Sequence, residues 1–262
     1  MTICTAKGVF VTGTDTGVGK TIVAGAFARA LVLRGLKISV MKPVETGCLF
    51  SADQTHDASA ETLVPKDALY LLEQAKSDAL LDLVNPYRFG PPLCPSVAAQ
   101  LCHQSIDLKH ILSCFEQLQE ESNFVIVESA GGVLVPLSGN LLTIELIKAT
   151  GLPALVIGRS SLGTINHCLL TLEALCQRQI PIAGVILNRL SQNLLNEEST
   201  NPQQIEKFFP DVIRGVLPFF DSDQRRDPDF MAERLRIHVD LDRIIHFPMQ
   251  NRSNTESRIS SE

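Results

Sequence analysis

The sequence predicts an α/β protein of the P-loop type, a mostly parallel sheet with helices on both faces. Three observations carry this expectation. Short apolar runs, among them Phe124-Val125-Ile126-Val127, lack polar alternation and are separated by helical patterns, as strands buried on both faces are. A glycine-rich turn, Gly13-Thr14-Asp15-Thr16-Gly17-Val18-Gly19-Lys20-Thr21, joins the first run to the first helix. Polar and charged residues follow the runs directly, where open α/β sheets bind ligands.

Composition narrows the class. At 262 residues, 45% hydrophobic and 20% charged, the chain has the balance of a globular protein with a substantial core. We expect a P-loop α/β domain over residues 1–222 and a C-terminal extension over 223–262, partly helical and then frayed, with the break at a charged stretch near 221–227. The net charge of −6 argues against nucleic acid or an anionic membrane as partner, since both reward clustered positive charge. With no basic segment leading into an apolar stretch at the N-terminus and no run long enough to span a bilayer, a cytoplasmic protein is expected. The 7 cysteines contain no C-x-x-C pair, which points to neither zinc nor a disulfide framework. Cys114, Cys168 and Cys176 fall in apolar helical patterns and read as buried packing residues, whereas Cys48 and Cys94 fall in loops near the strand ends.

Taken in order, Val9-Phe10-Val11 is the first strand, and the helix after the loop carries Ala, Val, Phe and Leu at helical spacing until Gly35 stops it. Residues 37–41 form a second strand that delivers Lys42-Pro43-Val44-Glu45-Thr46-Gly47. A polar stretch at 48–60 brings in Asp53, His56 and Asp57, and residues 67–84 read as one helix. Four prolines make 85–95 an irregular connection, followed by helices over 96–102 and 107–121. The strand at 124–127 ends in Glu128-Ser129-Ala130-Gly131-Gly132. Helix 143–150, strand 153–158, helix 163–178 and strand 182–187 follow, the last ending in Asn188-Arg189; a short strand at 211–217 ends in Pro218-Phe219-Phe220, and residues 230–245 carry one or two short helices.

The strand ends assemble a phosphoryl-transfer inventory. Backbone N–H groups of a turn such as 13–19 converge on a polyphosphate, Lys20 reaches its outer charges, and the Thr21 hydroxyl is a ligand for Mg²⁺. Mg²⁺ takes a few hard oxygen ligands plus phosphates and waters; Thr21, Asp57 and Glu128 fit, with Asp53 a competitor to Asp57 in the same loop. Lys42, aimed by an apolar strand and stiffened by Pro43, would offset charge developing between phosphoryl donor and acceptor. Asn188 suits either a purine edge or a strand-end turn cap. His167 reads as structural, and His56 and His103 have no partner pattern.

These blocks fall in the order found in dethiobiotin synthetases. The resemblance rests on the 11–21 loop, Lys42-Pro43-Val44 with Thr46-Gly47, His56-Asp57, Asn85-Pro86-Tyr87, Val127 to Gly132, Leu162-Gly163-Thr164-Ile165-Asn166-His167, Asn188, and Gly215-Val216-Leu217-Pro218, spread from residue 11 to about 220. It implies a cytoplasmic, ATP-dependent ligase of biotin biosynthesis that joins CO₂ to 7,8-diaminopelargonic acid through a carbamate and a carbamic-phosphoric anhydride. Carried onto this chain, Lys20 and Lys42 become catalytic and Thr21, Asp57 and Glu128 hold Mg²⁺. The nucleotide contacts Gly17, Val18, Gly19, Ile22, Ser129, Ala130 and Gly131 beside the phosphates, and Asn188, Arg189, Pro218, Phe219 and Phe220 about the adenine. Thr16 and Thr46 face the diamine. Its carboxylate docks on the Gly163–Asn166 turn of a partner subunit, which implies a homodimer.

Two positions depart from the family pattern. Many members carry Glu where this chain has Gly17, and Gly where it has Ser129; Gly17 removes a carboxylate near the substrate, and Ser129 adds bulk beside the phosphate path. The segment after about 222 has no matched counterpart. Two rivals share the loop. A cobyric-acid-type synthetase needs a glutamine-hydrolysing domain, for which 262 residues leave no room. ParA/MinD-like switch ATPases carry a lysine at the position of Asp15.

Overall fold

The computed structural model describes residues 4–5, 7–50, 63–192 and 199–249. Its centre is a six-stranded sheet of β1 (Gly8–Gly13), β2 (Ile38–Met41), β3 (Phe124–Gly132), β4 (Ala154–Arg159), β5 (Ile182–Asn188) and β6 (Ile213–Leu217), ordered β6-β5-β4-β1-β3-β2. Every neighbouring pair is parallel. β1 and β2 are buried at every position, which is why their sequences are apolar throughout rather than alternating.

The principal helices are α1 (Lys20–Leu33), α2 (Lys66–Ala75), α3 (Leu108–Glu120), α4 (Thr143–Thr150), α5 (Thr164–Gln177) and α6 (Pro228–His238). The connection from β1 to β2 runs one way along the sheet, and those from β2 onward to β6 run the other way. Right-handed crossovers therefore put α1 on one face and α3, α4 and α5 on the opposite one. Connections leave β1 and β3 in opposite directions, so the crevice beyond their carboxyl ends is the topological switch point where such sheets bind ligands.

Two segments differ from the sequence expectation. Residues 67–84 are not one helix: α2 ends at Lys76, whose backbone is left-handed (φ 48°), and a separate turn forms at Leu81–Val84. Ser77 stabilises the break by accepting the Ala79 N–H at 3.3 Å, a local bond that competes with helix. The proline-rich tract at 85–95 is not wholly irregular, because Tyr87–Phe89 pairs in parallel with Val44–Thr46. Cys114 and Cys168 are buried as expected, whereas Cys176 is exposed on the outer side of α5.

The described residues after β6, 218–249, pack onto the body. Asp227 caps α6 by accepting the N–H groups of Asp229 and Phe230, with Pro228 in the first turn, a sequence pattern built for a helix start. α6 lies on α1, burying Met231, Ala232 and Leu235. Its end bridges the sheet margin, where Val239 pairs with Gly215. A Cβ at Gly215 would lie 2.0 Å from the His238 carbonyl oxygen, so glycine is required for that approach. Truncating Leu235→Ala should cost about 2–5 kcal/mol, the usual range for a fully buried leucine. The midpoint of urea unfolding measures this, and an unchanged midpoint would show that α6 contributes nothing to the core.

Candidate functional site

The loop after β1 adopts its shape through two left-handed glycines, Gly17 (φ 75°) and Gly19 (φ 92°). At Gly13 a Cβ would meet Asp15 O, the Lys20 side chain and the Val18 side chain, each at 3.0 Å. That crowding explains why glycine stands at 13 rather than at 14, where Thr14 instead donates its N–H to Ile157 O of β4. Lys20 opens α1 and folds back over the loop, its Nζ donating to Asp15 O at 2.9 Å. Burial drives its pKa down to about 8, with Glu128 offsetting part of that and Lys42 adding to it.

β1, β2 and β3 bring their ends together around one carboxylate. Glu128 is fully buried, and its Oε1 accepts the Thr21 hydroxyl at 2.8 Å and Lys42 Nζ at 2.6 Å. Its Oε2 is buried without a partner. Lys42 also pairs with Asp67 Oδ2 at 2.9 Å. Burial opposes the lysine's charge, but Glu128 and Asp67 outweigh it and hold the ammonium above the ordinary lysine range. The turn that carries Lys42 is fixed by its own backbone, with Lys42 N–H donating to Val84 O at 2.8 Å and Asn85 Nδ2 to Lys42 O at 2.6 Å.

These groups line an open cavity of about 970 Å³. The expected residues Thr16, Gly17, Gly19, Lys20, Thr21, Ile22, Lys42, Thr46, Glu128, Ala130 and Gly131 all face it. Its far wall is apolar, from Pro92, Leu93, Leu134, Val135 and Pro136, and includes Cys94; Cys48 is buried away from it. No Cβ contact would arise at Gly17 within 4 Å, so this position leaves open space at the mouth.

The remaining expected residues stand elsewhere. Asn188 lies behind the loop, its Nδ2 donating to Val18 O at 2.9 Å, and a Cβ at Gly19 would collide with it at 2.3 Å. Arg189 and Pro218 extend the adjacent ends of β5 and β6, where Arg189 N–H donates to Leu217 O. Phe219 lies under the Arg225 guanidinium, 5.3 Å from its ring centre, and Phe220 packs edge-on against Phe230. Gly163, left-handed at φ 92°, precedes α5 and Asn166 sits in its first turn; neither lines this cavity.

Ser129 is not among the residues that line the cavity; its hydroxyl turns to Gly131 O at 3.0 Å and Thr12 Oγ1 at 3.2 Å, tying β3 to β1. Asp57, with Asp53 and His56, lies outside the described residues. Two further carboxylates line the cavity, Glu45 and Asp67; Asp67 was passed over in the sequence as a residue of a helix. Its signal was present as an acidic residue in the first turn of α2, two positions after Pro65.

A phosphate-binding loop at the switch point of a parallel sheet, with a strand-end carboxylate against its Thr and a second lysine opposite, defines a P-loop α/β protein that handles phosphoryl groups. A family model described as an AAA domain matches residues 7–225. A protein named ATP-dependent dethiobiotin synthetase BioD from Thermodesulfovibrio yellowstonii is 40% identical, covering 81% of this chain and 88% of its own. Homologues of the same name from Anaeromyxobacter dehalogenans and Bacillus licheniformis are 43% and 35% identical, over 84% and 92% of this chain and 93% and 96% of theirs. The chain belongs to the dethiobiotin synthetase family. Among solved structures, the MinC:MinD cell division complex of Aquifex aeolicus aligns with TM-score 0.50 over 87% of this chain and 86% of that one, at 15% identity, a likeness of fold alone.

The lowered pKa of Lys20 predicts how nucleotide binding depends on pH. Phosphates favour the charged lysine and raise its pKa on binding. Below about 8 the lysine is charged already and affinity is flat; above it, binding must take up a proton, so affinity falls as pH rises. Calorimetry near pH ~9 in two buffers of different ionisation heat detects the uptake, and equal heats would refute it.

Proposed function

We propose that the protein is the ATP-dependent ligase that forms the ureido ring of dethiobiotin in biotin synthesis. The observation that carries this reading is the Thr21–Glu128–Lys42 constellation at the mouth of the loop, in a chain of this family. One amine of 7,8-diaminopelargonic acid adds to CO₂ and loses a proton to give a carbamate. A carbamate oxygen attacks the γ-phosphorus of ATP and ADP leaves. The second amine then attacks the carbonyl carbon of the mixed anhydride and expels inorganic phosphate.

Each residue's part follows from its place. The loop amides and Lys20 hold the outer phosphates, and Lys42, kept charged by two carboxylates, faces the oxygen that bridges donor and acceptor. Thr46 and Thr16 line the same cavity and would contact the diamine. The apolar wall at Leu134 and Pro136 matches a hydrocarbon chain. Asn188 and the 218–220 segment lie at the neighbouring strand ends and are the adenine side of the reading.

The donors present suit magnesium: a hydroxyl and a carboxylate already in contact, with a buried carboxylate oxygen left over and Asp67 on the same cavity. Thr21, Asp57 and Glu128 would hold it, joined by Asp67 on the same cavity, and the ion would supply neutralisation of the β- and γ-phosphate charge. The Gly163–Asn166 turn at the start of α5 would take the substrate carboxylate in a second subunit, and the 90% exposure of Leu162 beside it favours a homodimer built there. Among the described residues no helix is long and apolar enough to cross a membrane.

Purified protein should consume ATP only when diamine and bicarbonate are both present, yielding stoichiometric ureido product by mass spectrometry. Rapid ATP hydrolysis without diamine would instead favour a MinD-like switch. Lys42→Ala should lower kcat by about 10²–10³-fold while ATP affinity, measured by calorimetry, stays within a few-fold. Unchanged turnover would remove Lys42 from the reacting centre.

A further inference from the structure

The first turn of α2 is capped from a distant part of the chain. Pro65 holds the N-cap position and makes no side-chain cap hydrogen bond. The acceptors come from Glu45, whose Oε1 takes the N–H of Asp67 and Oε2 that of Ala68, both at 3.0 Å. Glu45 is itself buried, at 6% exposure, on the short strand that follows Lys42. A buried carboxylate is costly unless its oxygens are satisfied. Two first-turn amides at the positive end of a helix satisfy both of them.

The consequence lies one bond further on. Asp67 offers its N–H to Glu45 and its side chain to Lys42, at 2.9 Å. Farther along, α2 lies tight on α1, where a Cβ at Gly25 would be 2.3 Å from the Tyr70 ring, so the helix has little freedom to shift there. Its start depends on the Glu45 fork. We propose that Glu45 is a positioning residue, which grips the first turn of α2 and so sets the Asp67 carboxylate against Lys42 on the phosphoryl side of the cavity. The segment that carries the lysine thereby also fixes, through the short strand after it, the carboxylate that faces it. The proposal rests on the functional reading for what Asp67 does, though not for the cap itself.

A double-mutant cycle with magnesium as the probe tests it. Glu45→Ala should raise the Mg²⁺ concentration for half-maximal turnover by about tenfold, the size expected for a group behind a metal ligand. In an Asp67→Asn background the same change should add less than about twofold, because the residue it positions has already lost its charge. Losses that multiply in the double variant would overturn the proposal, since a general loosening of the fold acts independently of Asp67. Should Glu45→Ala fail to fold, Glu45→Gln keeps the shape, loses one acceptor and runs the same cycle. If the wild type makes no dethiobiotin, the functional reading fails alone. Hydrogen exchange then decides on Glu45: faster exchange at the amides of Asp67 and Ala68 in the variant supports the cap, and unchanged exchange overturns it.

Discussion

The ion pair between Lys42 and Glu128 is the interaction on which the site depends, because it joins the ends of the neighbouring strands β2 and β3 beside the topological switch point. Neither side chain reaches bulk water. Desolvating such a pair is expensive, and removing one partner of a buried pair typically costs roughly 3–5 kcal/mol. The arrangement is tolerable because each charge has further partners: Asp67 for the lysine, the Thr21 hydroxyl for the carboxylate. One oxygen of Glu128 stays without a hydrogen-bond partner, an acceptor that the proposed reading assigns to a cation. A structural salt bridge would have its acceptors filled.

How far this could be read from the chain depended on how local each feature is. The loop, Lys42 and Glu128 each follow a short apolar run by one or a few residues, so strand and site are written side by side, and the parallel sheet follows from runs without alternation. Asp67 was hidden for the opposite reason. Its place is fixed by Glu45, 22 positions earlier in sequence, and by the packing of α2 on α1, neither of which has a local signature. The same limit explains the 67–84 helix: the apolar pattern continues past Lys76, and only the left-handed turn and the Ser77 side-chain bond interrupt it. Where the Ser129 side chain turns is likewise not written locally, because strand periodicity tells which face a residue occupies only when the strand end is regular. Between Val11 and Gly13 the register of β1 against β3 shifts, and the serine turns towards Thr12.

Asn188, for which a purine edge and a turn cap were the two alternatives, makes a cap-like bond in the structure. Its Nδ2 holds the Val18 carbonyl, a capping role for the loop itself, while the residue stands at the end of β5 next to the 217–220 segment. An amide has more than one hydrogen-bonding position, and the oxygen and second N–H are not used by Val18. Gly19 completes the arrangement, since no side chain could pass between the loop and that amide. The phosphate cradle and the strand ends on its far side are therefore one mechanical unit.

The residues after β6 extend the same logic to stability. Their ion pairs to α1, Arg29 with Asp229 and Arg34 with Asp242, have exposed carboxylates and contribute little by themselves. Burial of Met231, Ala232 and Leu235 does more, at about 25 cal/mol per Å² of apolar surface removed from water. That contact is made along α1, the helix whose first residue is Lys20 and whose amino end faces the cavity. α1 is held by the sheet on one side, by α2 on another and by α6 on a third. A helix confined this way keeps its amino end fixed relative to β3, which is the condition for Thr21 to meet Glu128 at hydrogen-bond distance. Preorganisation of the phosphate end thus draws on packing 200 residues away in sequence.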